Sequence, residues 1–434
     1  MLNAQAKEAI RKNAVKNAID YGKAKEANII GKVLGEFPEL KSDMKELNSE
    51  ISKIVKEINS MSKSELEKAY KKYEEGFEEA RKIKVEKTSK PSFLLEGAEK
   101  GKFVTRFAPE PSGYMHIGHA KAAFLAREFA IVYDGKIGLY FDDTNPEKVR
   151  KEYVEAFKKD LKWLGIEFDR EYYSSDHIER IYKYAEQLLK QGDAYICFCD
   201  AEKMKKFRFD GIGCEHRKQT SKQNLDFWKE MLEDKFEDNK AVFRLKGDMK
   251  SLNTTMRDPV LLRIIHHEHW KQGKKYVVWP TYDFNTPIVD SIEGVTDALR
   301  SKEYELRDEL DYKILDLLKL RKPKIRSYSR LEIIDNITSK RELRKMIEEG
   351  VLEGWDDPRI VTIAGLRRRG IVPEAIKNFV LRFGMSKVES KVDIDMLIGE
   401  NRKIVDKIAK RLFFVANPVK VHISGKTPTN VKIR

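Results

Sequence analysis

Residues 103–122 constrain the fold of this chain more than any other stretch. An apolar run, Phe103–Phe107, is followed by a turn rich in proline and glycine and then by a longer apolar run, Ala120–Val132. The short run before the turn predicts a strand, and the run after it has the length of a helix. The sequence therefore predicts a strand, a sharp turn and a helix in immediate succession.

The same turn carries the side chains with the clearest chemistry. His116 and His119 fall at the predicted start of the helix and are two of only eight histidines. Free backbone N–H groups and the positive end of the helix dipole favour phosphate at such a position. Gly118 removes a side chain where the backbone must approach a ring or a phosphate. We predict that this turn holds a nucleoside triphosphate; the alternative is a strand-turn-helix with incidental histidines.

The first part of the chain has a different composition. Residues 1–95 are charged and contain few glycines and prolines, which predicts a helical N-terminal domain. From Ile51 to Lys87 the apolar positions are sparse, which favours long solvated helices over a packed bundle. Thr88–Ser92 is the predicted linker.

Beyond the linker, strands and helices alternate, as in an α/β fold with a parallel sheet. We predict the first half of a nucleotide-binding fold at 100–192, an insertion at 193–255 and the second half at 256–326. Val260–Ile265 and Tyr276–Trp279 are expected to resume the alternation. A basic helical region follows at 327–412.

Basic residues outnumber acidic ones, with 85 Lys and Arg against 71 Asp and Glu and a formal net charge of +14. This excess fits a polyanionic partner, although a lysine-rich surface without a partner has the same charge. No apolar run approaches the ~18 residues of a membrane span, and the N-terminus lacks the apolar core of a signal peptide. We predict a cytoplasmic protein.

All three cysteines lie in one short region. Cys197 and Cys199, followed by Cys214 and His216, form a C-x-C and C-x-H arrangement. Three thiolates and one imidazole make a closed tetrahedral set, which is typical of structural zinc. The basic stretch Lys203–Arg208 would form the loop between them. The alternative is three reduced thiols that cluster by chance.

A second signal lies at 329–344, where Ile337-Thr-Ser-Lys-Arg contains Lys340. Together with the His-Ile-Gly-His turn, it resembles the paired signatures of class I aminoacyl-tRNA synthetases, in which a Lys-Met-Ser-Lys-Ser type of loop carries a mobile lysine. Met61-Ser-Lys-Ser and Met385-Ser-Lys-Val match the general letters better. Ser62 and Glu65 match a capping box that opens a charged helix before the first strand, but Ser339 and Glu342 match a capping box as well, so capping does not separate the candidates. The position of Lys340 after the second half of the fold, and its Ser-Arg-Leu lead-in, favour it over Lys63 and Lys387.

The resemblance extends from Phe103 to about Val419 and is close to glutamyl-tRNA synthetases of the archaeal and eukaryotic type. The blocks that carry it are Phe141-Asp-Asp-Thr-Asn-Pro, Trp279-Pro-Thr-Tyr-Asp-Phe, Gly294-Val-Thr-Asp-Ala-Leu-Arg, Gly354-Trp-Asp-Asp-Pro-Arg and Gly365-Leu-Arg-Arg-Arg-Gly. The resemblance implies an α/β, Rossmann-type catalytic domain with an insertion that binds the tRNA acceptor end. It also implies a preceding helical domain, a following helical stem-contact domain and the start of a β-barrel at 413–434.

By the same resemblance, His116, His119 and Lys340 are the catalytic residues that act on Mg²⁺-bound ATP. The implied ATP-binding residues are Glu110, Pro111, Ser112, Gly118, Ser301, Arg330, Leu331 and Ser339. The implied glutamate-binding residues are Arg106, Asp142, Tyr282 and Arg300.

Each residue of the glutamate pocket also has a chemical reason to be there. Asp142 supplies an anion for the substrate ammonium, Tyr282 a hydroxyl and Arg106 a fork for a carboxylate. Arg300 supplies the cation that a buried side-chain carboxylate requires. Asp142 as a turn cap and Arg300 as a surface arginine are the alternatives.

The implied reaction is ATP-dependent activation of glutamate and its transfer to tRNA(Glu). Charging of tRNA(Gln) is left open. Arg367, Arg368 and Arg369 are expected to lie along tRNA phosphate, although basic residues before Gly370 also suit a helix C-terminus. The alternatives are a glutaminyl-tRNA synthetase, against which Arg300 argues, a small-molecule adenylyltransferase, and a tRNA-binding subunit that needs a separate polypeptide carrying the anticodon-binding barrel.

Overall fold

The computed structural model describes residues 4–37, 40, 43–73, 94–334, 336, 340–412, 414–420, 422 and 424–425. The chain divides into two compact units, residues 1–91 and 92–434. The predicted linker, Thr88–Ser92, lies outside the described residues.

The first unit is helical. Its helices are α1 (Ala4–Tyr21), α2 (Glu26–Glu36), α3 (Met44–Ser60) and α4 (Lys63–Lys71). Leu47, Ile51, Ile54, Val55 and Ile58 form one buried stripe along α3. They join a core with the apolar side of α1, because spacings of three and four residues place them on one helix face. The prediction of solvated helices is therefore wrong for α3. The predicted capping box of α4 is confirmed, since Ser62 N donates to Glu65 Oε2 and Glu65 N to Ser62 Oγ.

The second unit is mixed. Its strands, in chain order, are β1 (Val104–Phe107), β2 (Lys136–Phe141), β3 (Arg170–Tyr173), β4 (Ala194–Cys197), β5 (Val242–Leu245), β6 (Val260–Ile264), β7 (Val278–Pro280), β8 (Asp297–Ser301), β9 (Lys324–Tyr328), β10 (Leu331–Ile333) and β11 (Ser390–Val392). Its helices are α5 (Ile117–Val132), α6 (Lys151–Trp163), α7 (Ile178–Gln191), α8 (Ala201–Asp210), α9 (Ser221–Leu232), α10 (Tyr282–Ile292), α11 (Asp308–Leu318), α12 (Lys340–Glu348), α13 (Ile363–Arg368), α14 (Pro373–Leu381) and α15 (Ile394–Val405).

One layer of the second unit is built from parallel strands. β1 pairs with β2 and β2 with β3, and β8 pairs with β9, all in parallel. β8 lies beside β1, where Thr296 N donates to Val104 O and Thr105 Oγ1 to Asp297 O. Parallel strands with crossover helices define the predicted Rossmann-type α/β fold. The carboxyl ends of β1, β2 and β8 therefore meet at one edge, where ligands bind in such sheets.

The insertion contains an antiparallel sheet in the order β4-β5-β6-β7. The two apolar runs at 260–264 and 278–280 belong to this sheet. The prediction that they resume the parallel alternation is therefore wrong, because an apolar run reports burial but not the direction of its partner strand. The chain returns to the parallel layer through α10 and β8.

Among the described helices, none is long and apolar enough to cross a membrane. Of the predicted barrel start, the described residues between 413 and 425 form no strand.

Candidate active site

A cavity of about 340 Å³ opens at the carboxyl edge of the parallel strands. Residues after β1, at the start of α5, after β2, at the end of β8 and around 328–332 line it. Residues predicted from sequence that meet at this cavity are Arg106, Glu110, His116, Gly118, His119, Asp142, Tyr282, Arg300, Ser301, Arg330 and Leu331. Pro111 and Ser112 do not line it, although Ser112 donates to Glu110 Oε2 over 3.1 Å.

The two histidines cap helix α5. Gly118 N donates to His116 Nδ1 over 3.1 Å, and His116 N donates to His119 Nδ1 over 3.2 Å. Their ring centroids lie 3.8 Å apart. Because both Nδ1 atoms accept backbone protons, a neutral ring at either position carries its own proton on Nε2. The turn thus presents imidazole Nε2–H groups as donors.

One part of the phosphate prediction is wrong. The backbone N–H groups at the start of α5 are not free: Ile117 N donates to Val361 O and His119 N to His116 O, in addition to the two bonds to imidazole. The histidines and the strand-like contact with residues 361–363 satisfy these groups, because an unpaired N–H at a helix start is costly when partly buried.

Gly118 is required by the ring of its neighbour. A Cβ at this position would lie 2.9 Å from His116 Cε1 and 3.1 Å from His116 Nδ1. The glycine therefore leaves room for the His116 ring, and close approach of a ligand to Gly118 stays a prediction.

Asp142 follows β2 and lines the cavity. Its Oδ1 accepts from Thr144 Oγ1 (2.8 Å), Asn285 Nδ2 (3.2 Å) and Ser174 Oγ (3.3 Å). Among the described residues no donor reaches Oδ2. Burial raises the pKa of Asp142 to about 6, although these donors oppose the shift. The side chain is held firmly and keeps one acceptor for a ligand.

The buried Arg106 already has a carboxylate. Nε and Nη2 donate to Asp290 over 2.7 and 2.9 Å, and Nη1 donates to Leu299 O over 2.8 Å. Burial disfavours its charge, but Asp290 raises the pKa of Arg106 overall. The fork that was predicted for a substrate carboxylate is thus filled by Asp290, as a buried guanidinium requires a partner. Contact between Arg106 and glutamate stays a prediction.

Arg300, at the end of β8, is also paired. Nη1 donates to Asp311 Oδ2 over 2.6 Å and to the Tyr282 hydroxyl over 3.3 Å, and Nη2 contacts Asp308 Oδ1. Its Nε is buried, and no acceptor among the described residues reaches it. Burial disfavours the charge, but Asp311 and Asp308 raise the pKa of Arg300 overall. The alternative of a surface arginine is excluded, since Arg300 is only 6% exposed.

Lys121 was missed by the sequence analysis, although it lines the cavity. It is 1% exposed and donates from Nζ to Ser329 O over 2.6 Å. It forms no ion pair with the described residues, and burial lowers its pKa to about 8. A single lysine within the apolar run of α5 was the signal available. Thr286, Tyr304 and Tyr328 also line the cavity and were missed.

The second predicted loop is described only in part. Ser339 and the side chain of Lys340 lie outside the described residues, but the backbone places Lys340 at the start of α12. Arg344 Nη2 on this helix donates to the Tyr153 hydroxyl over 3.2 Å. Trp355, beyond the helix, stacks on Tyr114 in the histidine turn, with ring centroids 5.2 Å apart. These two contacts hold α12 against α6 and hold the segment after α12 against the histidine turn. Of the competing lysines, Lys387 is ion-paired with Glu305 and Lys63 lies in α4.

The predicted zinc ligands converge. The ligand atoms of Cys197, Cys199, Cys214 and His216 all lie within 4.8 Å of one another. Cys197 Sγ is 3.9 Å from Cys214 Sγ, and His216 Nδ1 is 3.5 Å from Cys199 Sγ. A tetrahedral zinc ion with bonds of about 2.3 Å to sulfur and 2.0 Å to nitrogen needs edges of roughly 3.8 and 3.5 Å. The three thiols are free of disulfides, so the donor set fits a zinc ion.

The segment between these ligands differs from the prediction. Residues 203–208 lie in helix α8 and not in a loop. Asp200 caps the helix, accepting from Lys203 N over 2.7 Å, and Gly211 ends it with φ +69°.

The three arginines predicted to contact tRNA end a short helix, α13, before Gly370, as the alternative reading of them required. Arg367 is 3.4 Å from Asp160 Oδ1 and lies over the Trp163 ring, and Arg368 pairs with Glu353 over 2.5 Å. Arg369 is exposed and has no partner among the described residues. Only one of the three is therefore uncommitted.

Comparisons with known proteins agree with the fold. A family model described as tRNA synthetases class I (E and Q), catalytic domain, matches residues 102–407. The chain belongs to this family.

Curated relatives match almost the whole chain. The glutamate–tRNA ligase of Nitrosopumilus maritimus is 44% identical, covering 100% of this chain and 76% of the relative. Those of Korarchaeum cryptofilum and Pyrococcus furiosus are 42% and 43% identical, each covering 97% of this chain, and 75% and 74% of the relatives. A crystal structure of a glutamate tRNA ligase from Elizabethkingia meningosepticum in complex with its amino acid superposes with a TM-score of 0.51. It is 22% identical over 71% of this chain and 70% of that one, and it shows the fold alone.

Proposed function

We propose that this protein is a glutamate–tRNA ligase, which activates L-glutamate with ATP and transfers it to the 3′ end of tRNA(Glu). The observation that carries the proposal is the buried Arg300, which lines the same cavity as His116 and His119. A guanidinium at this depth suits an acidic side chain, and the imidazoles suit a polyphosphate. The identity of 42–44% to glutamate–tRNA ligases over nearly the whole chain supports it.

The first step needs no nucleophile from the protein. The substrate α-carboxylate attacks the α-phosphorus of ATP, the bond to the β-phosphate breaks, and pyrophosphate leaves. Catalysis then consists of alignment and of stabilising charge on the phosphoryl oxygens. His116 and His119 donate from Nε2 to these oxygens, and Asp142 Oδ2 accepts from the substrate ammonium. Mg²⁺ accompanies ATP as part of the substrate.

The remaining ATP contacts follow the cavity wall. Ser329, Arg330 and Leu331 line it at the end of β9, and Ser301 lines it at the end of β8. We assign adenine to Arg330 and Leu331 and the ribose to the neighbourhood of Ser301. We assign the phosphates to Lys340, the first residue of α12. A lysine that tightens on the transition state more than on ATP raises turnover.

In the second step, the 2′-hydroxyl of the terminal adenosine attacks the adenylate carbonyl and releases AMP. We assign contact with the tRNA acceptor end to the insertion. Of the three arginines at 367–369, Arg369 is the one proposed to contact a tRNA phosphate. Charging of tRNA(Gln), and an anticodon-binding barrel on a separate polypeptide, are left open.

A zinc ion is the proposed occupant of the Cys197, Cys199, Cys214 and His216 cluster. Four protein ligands close the coordination sphere, so the ion would brace the insertion and take no part in chemistry. Cys197 ends β4 and Cys214 precedes a short helix, Glu215–Lys218, so the ion would link the sheet to the segment that follows α8.

The proposal is tested by exchange of labelled pyrophosphate into ATP, with glutamate or glutamine, in the presence and absence of tRNA. Exchange with glutamate and not glutamine is expected. Exchange with glutamine alone would identify a glutaminyl-tRNA synthetase. Exchange with neither amino acid, with tRNA present, would contradict the proposed activity.

A further inference from the structure

Two carboxylates contact Arg300, which is more negative charge than its single positive charge can balance. Asp311 and Asp308 both contact its guanidinium, and no other cation among the described residues pairs with either carboxylate. One positive charge thus faces two acidic groups before any substrate enters. A substrate carboxylate would be a third, and like charges at this distance repel strongly in a buried site.

The two aspartates differ in how easily they can leave. The side chain of Asp311 is only 5% exposed, so the surrounding protein prevents it from moving away from Arg300. The side chain of Asp308 is 29% exposed and lies in the first turn of α11, where the helix dipole favours a carboxylate facing water. Asp308 also stands outside the residues that line the cavity, so it does not block entry to it.

Protonation of Asp311 does not remove the competition. With Asp311 neutral, Asp308 alone balances Arg300, and an incoming carboxylate still gains a full ion pair only when Asp308 withdraws. No acceptor among the described residues reaches the buried Nε of Arg300. The guanidinium therefore keeps one unsatisfied donor, and it can reorient to place this donor against a new acceptor.

We propose that Asp308 is a displaceable counter-ion of Arg300, occupying the guanidinium when the pocket is empty and yielding it to the side-chain carboxylate of the amino acid. This inference rests on the proposed function. Asp308 is then a specificity-determining residue that acts through Arg300: a neutral amide competes poorly with it, whereas a carboxylate displaces it. The cost to the cognate substrate is a raised KM, since only molecules with a free guanidinium bind it.

The test measures amino-acid-dependent pyrophosphate exchange for Asp308→Asn and Asp308→Ala in the full chain. If Asp308 occupies the guanidinium in about nine of ten molecules, its removal lowers the glutamate KM by about tenfold. The ATP KM should stay within about twofold, because Asp308 is not among the residues that line the cavity with the proposed nucleotide contacts. A gain in affinity also requires folded protein, so misfolding cannot imitate it.

Glu309→Gln is the matched control. It removes the same charge from the same helix turn, but Glu309 accepts from Asn253 Nδ2 and does not contact Arg300. An unchanged or raised glutamate KM in both Asp308 variants would overturn the inference, as would an equal fall in Glu309→Gln. Failure of the wild-type protein to exchange with glutamate would instead count against the proposed function.

Discussion

At the residue scale, the polar side chains of the site form hydrogen bonds with the protein around them, and these bonds fix their orientation. His116 and His119 accept backbone protons at Nδ1, and Asp142 accepts at Oδ1 from four donors, one of which is the backbone N of Thr144. Fixed partners reduce the reorganisation that is needed when charge develops on a phosphate. The imidazole rings of His116 and His119 and the carboxylate of Asp142 therefore have defined directions.

The pKa of Asp142 predicts a pH dependence. A carboxylate whose pKa is raised to about 6 by burial loses its charge as pH falls through 6, and with it the partner of the substrate ammonium. We expect kcat/KM for glutamate in pyrophosphate exchange to fall below about pH 6 and to be flat from pH 7 to 8. In Asp142→Asn the value should be low and independent of pH in this window. An equal decline in the variant would assign the titration to another group.

Lys121 is predicted to hold the adenine-binding segment. Its Nζ donates to Ser329 O, while Ser329 N donates to Ser386 O, so both sides of this residue are anchored. Loss of a charge-assisted hydrogen bond costs about 1.5–3 kcal/mol, so Lys121→Met should raise the ATP KM by roughly tenfold or more. Steady-state exchange at saturating glutamate measures this. Lys121→Arg should recover part of the loss, and an unchanged ATP KM in the methionine variant would refute the role.

At the scale of elements, helix α5 connects the histidine turn to the segment that is proposed to bind adenine. Its first turn carries the histidines, and Lys121, one turn on, reaches the segment at 329. The segment 349–363 supports both signatures: Leu352 and Ile360 pack with Leu343 of α12, and Val361 O accepts from Ile117 N. A displacement of α12 would therefore be felt at the histidine turn.

The start of α12 predicts a kinetic signature. If Lys340 acts on the transition state, Lys340→Ala should lower kcat by on the order of a hundredfold while the ATP KM changes little. Lys387→Ala, at the competing Met-Ser-Lys sequence, is the control and should leave kcat near the wild-type value. A raised ATP KM with an unchanged kcat in Lys340→Ala would show ground-state binding instead.

The insertion predicts a metal dependence. Purified protein should contain about one equivalent of zinc, and Cys214→Ser should lose it and unfold at a lower temperature. Metal analysis and thermal denaturation measure the two effects. Less than about half an equivalent of zinc in the wild type, with no change in stability in the variant, would exclude a structural ion.

At the scale of the whole molecule, the sequence correctly predicted two strands of the parallel layer and misassigned two strands of the antiparallel sheet. The strands expected at 103–107 and 137–141 are found at Val104–Phe107 and Lys136–Phe141, because apolar runs between turn residues define strands locally. β6 and β7 have the same local pattern, and only long-range pairing decides that they are antiparallel. Strand direction is therefore the part of a fold that local sequence cannot specify.

The candidate site shows the same division. His116, Asp142 and Arg300 were predicted because they stand in sequence motifs that resemble those of a known family and because their side chains suit the expected ligands. Lys121, Asp308 and Asp311 were not, because a lysine or an aspartate on a helix is ordinary until the fold buries it beside a particular partner. Arg106 was predicted as a fork for a carboxylate and Arg300 as the cation for a side-chain carboxylate, but a buried guanidinium requires a counter-ion from the protein before any substrate binds.

The central claim is that Arg300 selects an acidic amino acid beside the histidine turn. Glutamate-dependent pyrophosphate exchange by Arg300→Ala tests it most directly. Removing one partner of a buried ion pair costs about 3–5 kcal/mol, so kcat/KM for glutamate should fall by about a hundredfold or more, while ATP binding in titration calorimetry stays within about twofold. A glutamate KM equal to that of the wild type, in a variant that binds ATP normally, would contradict the claim.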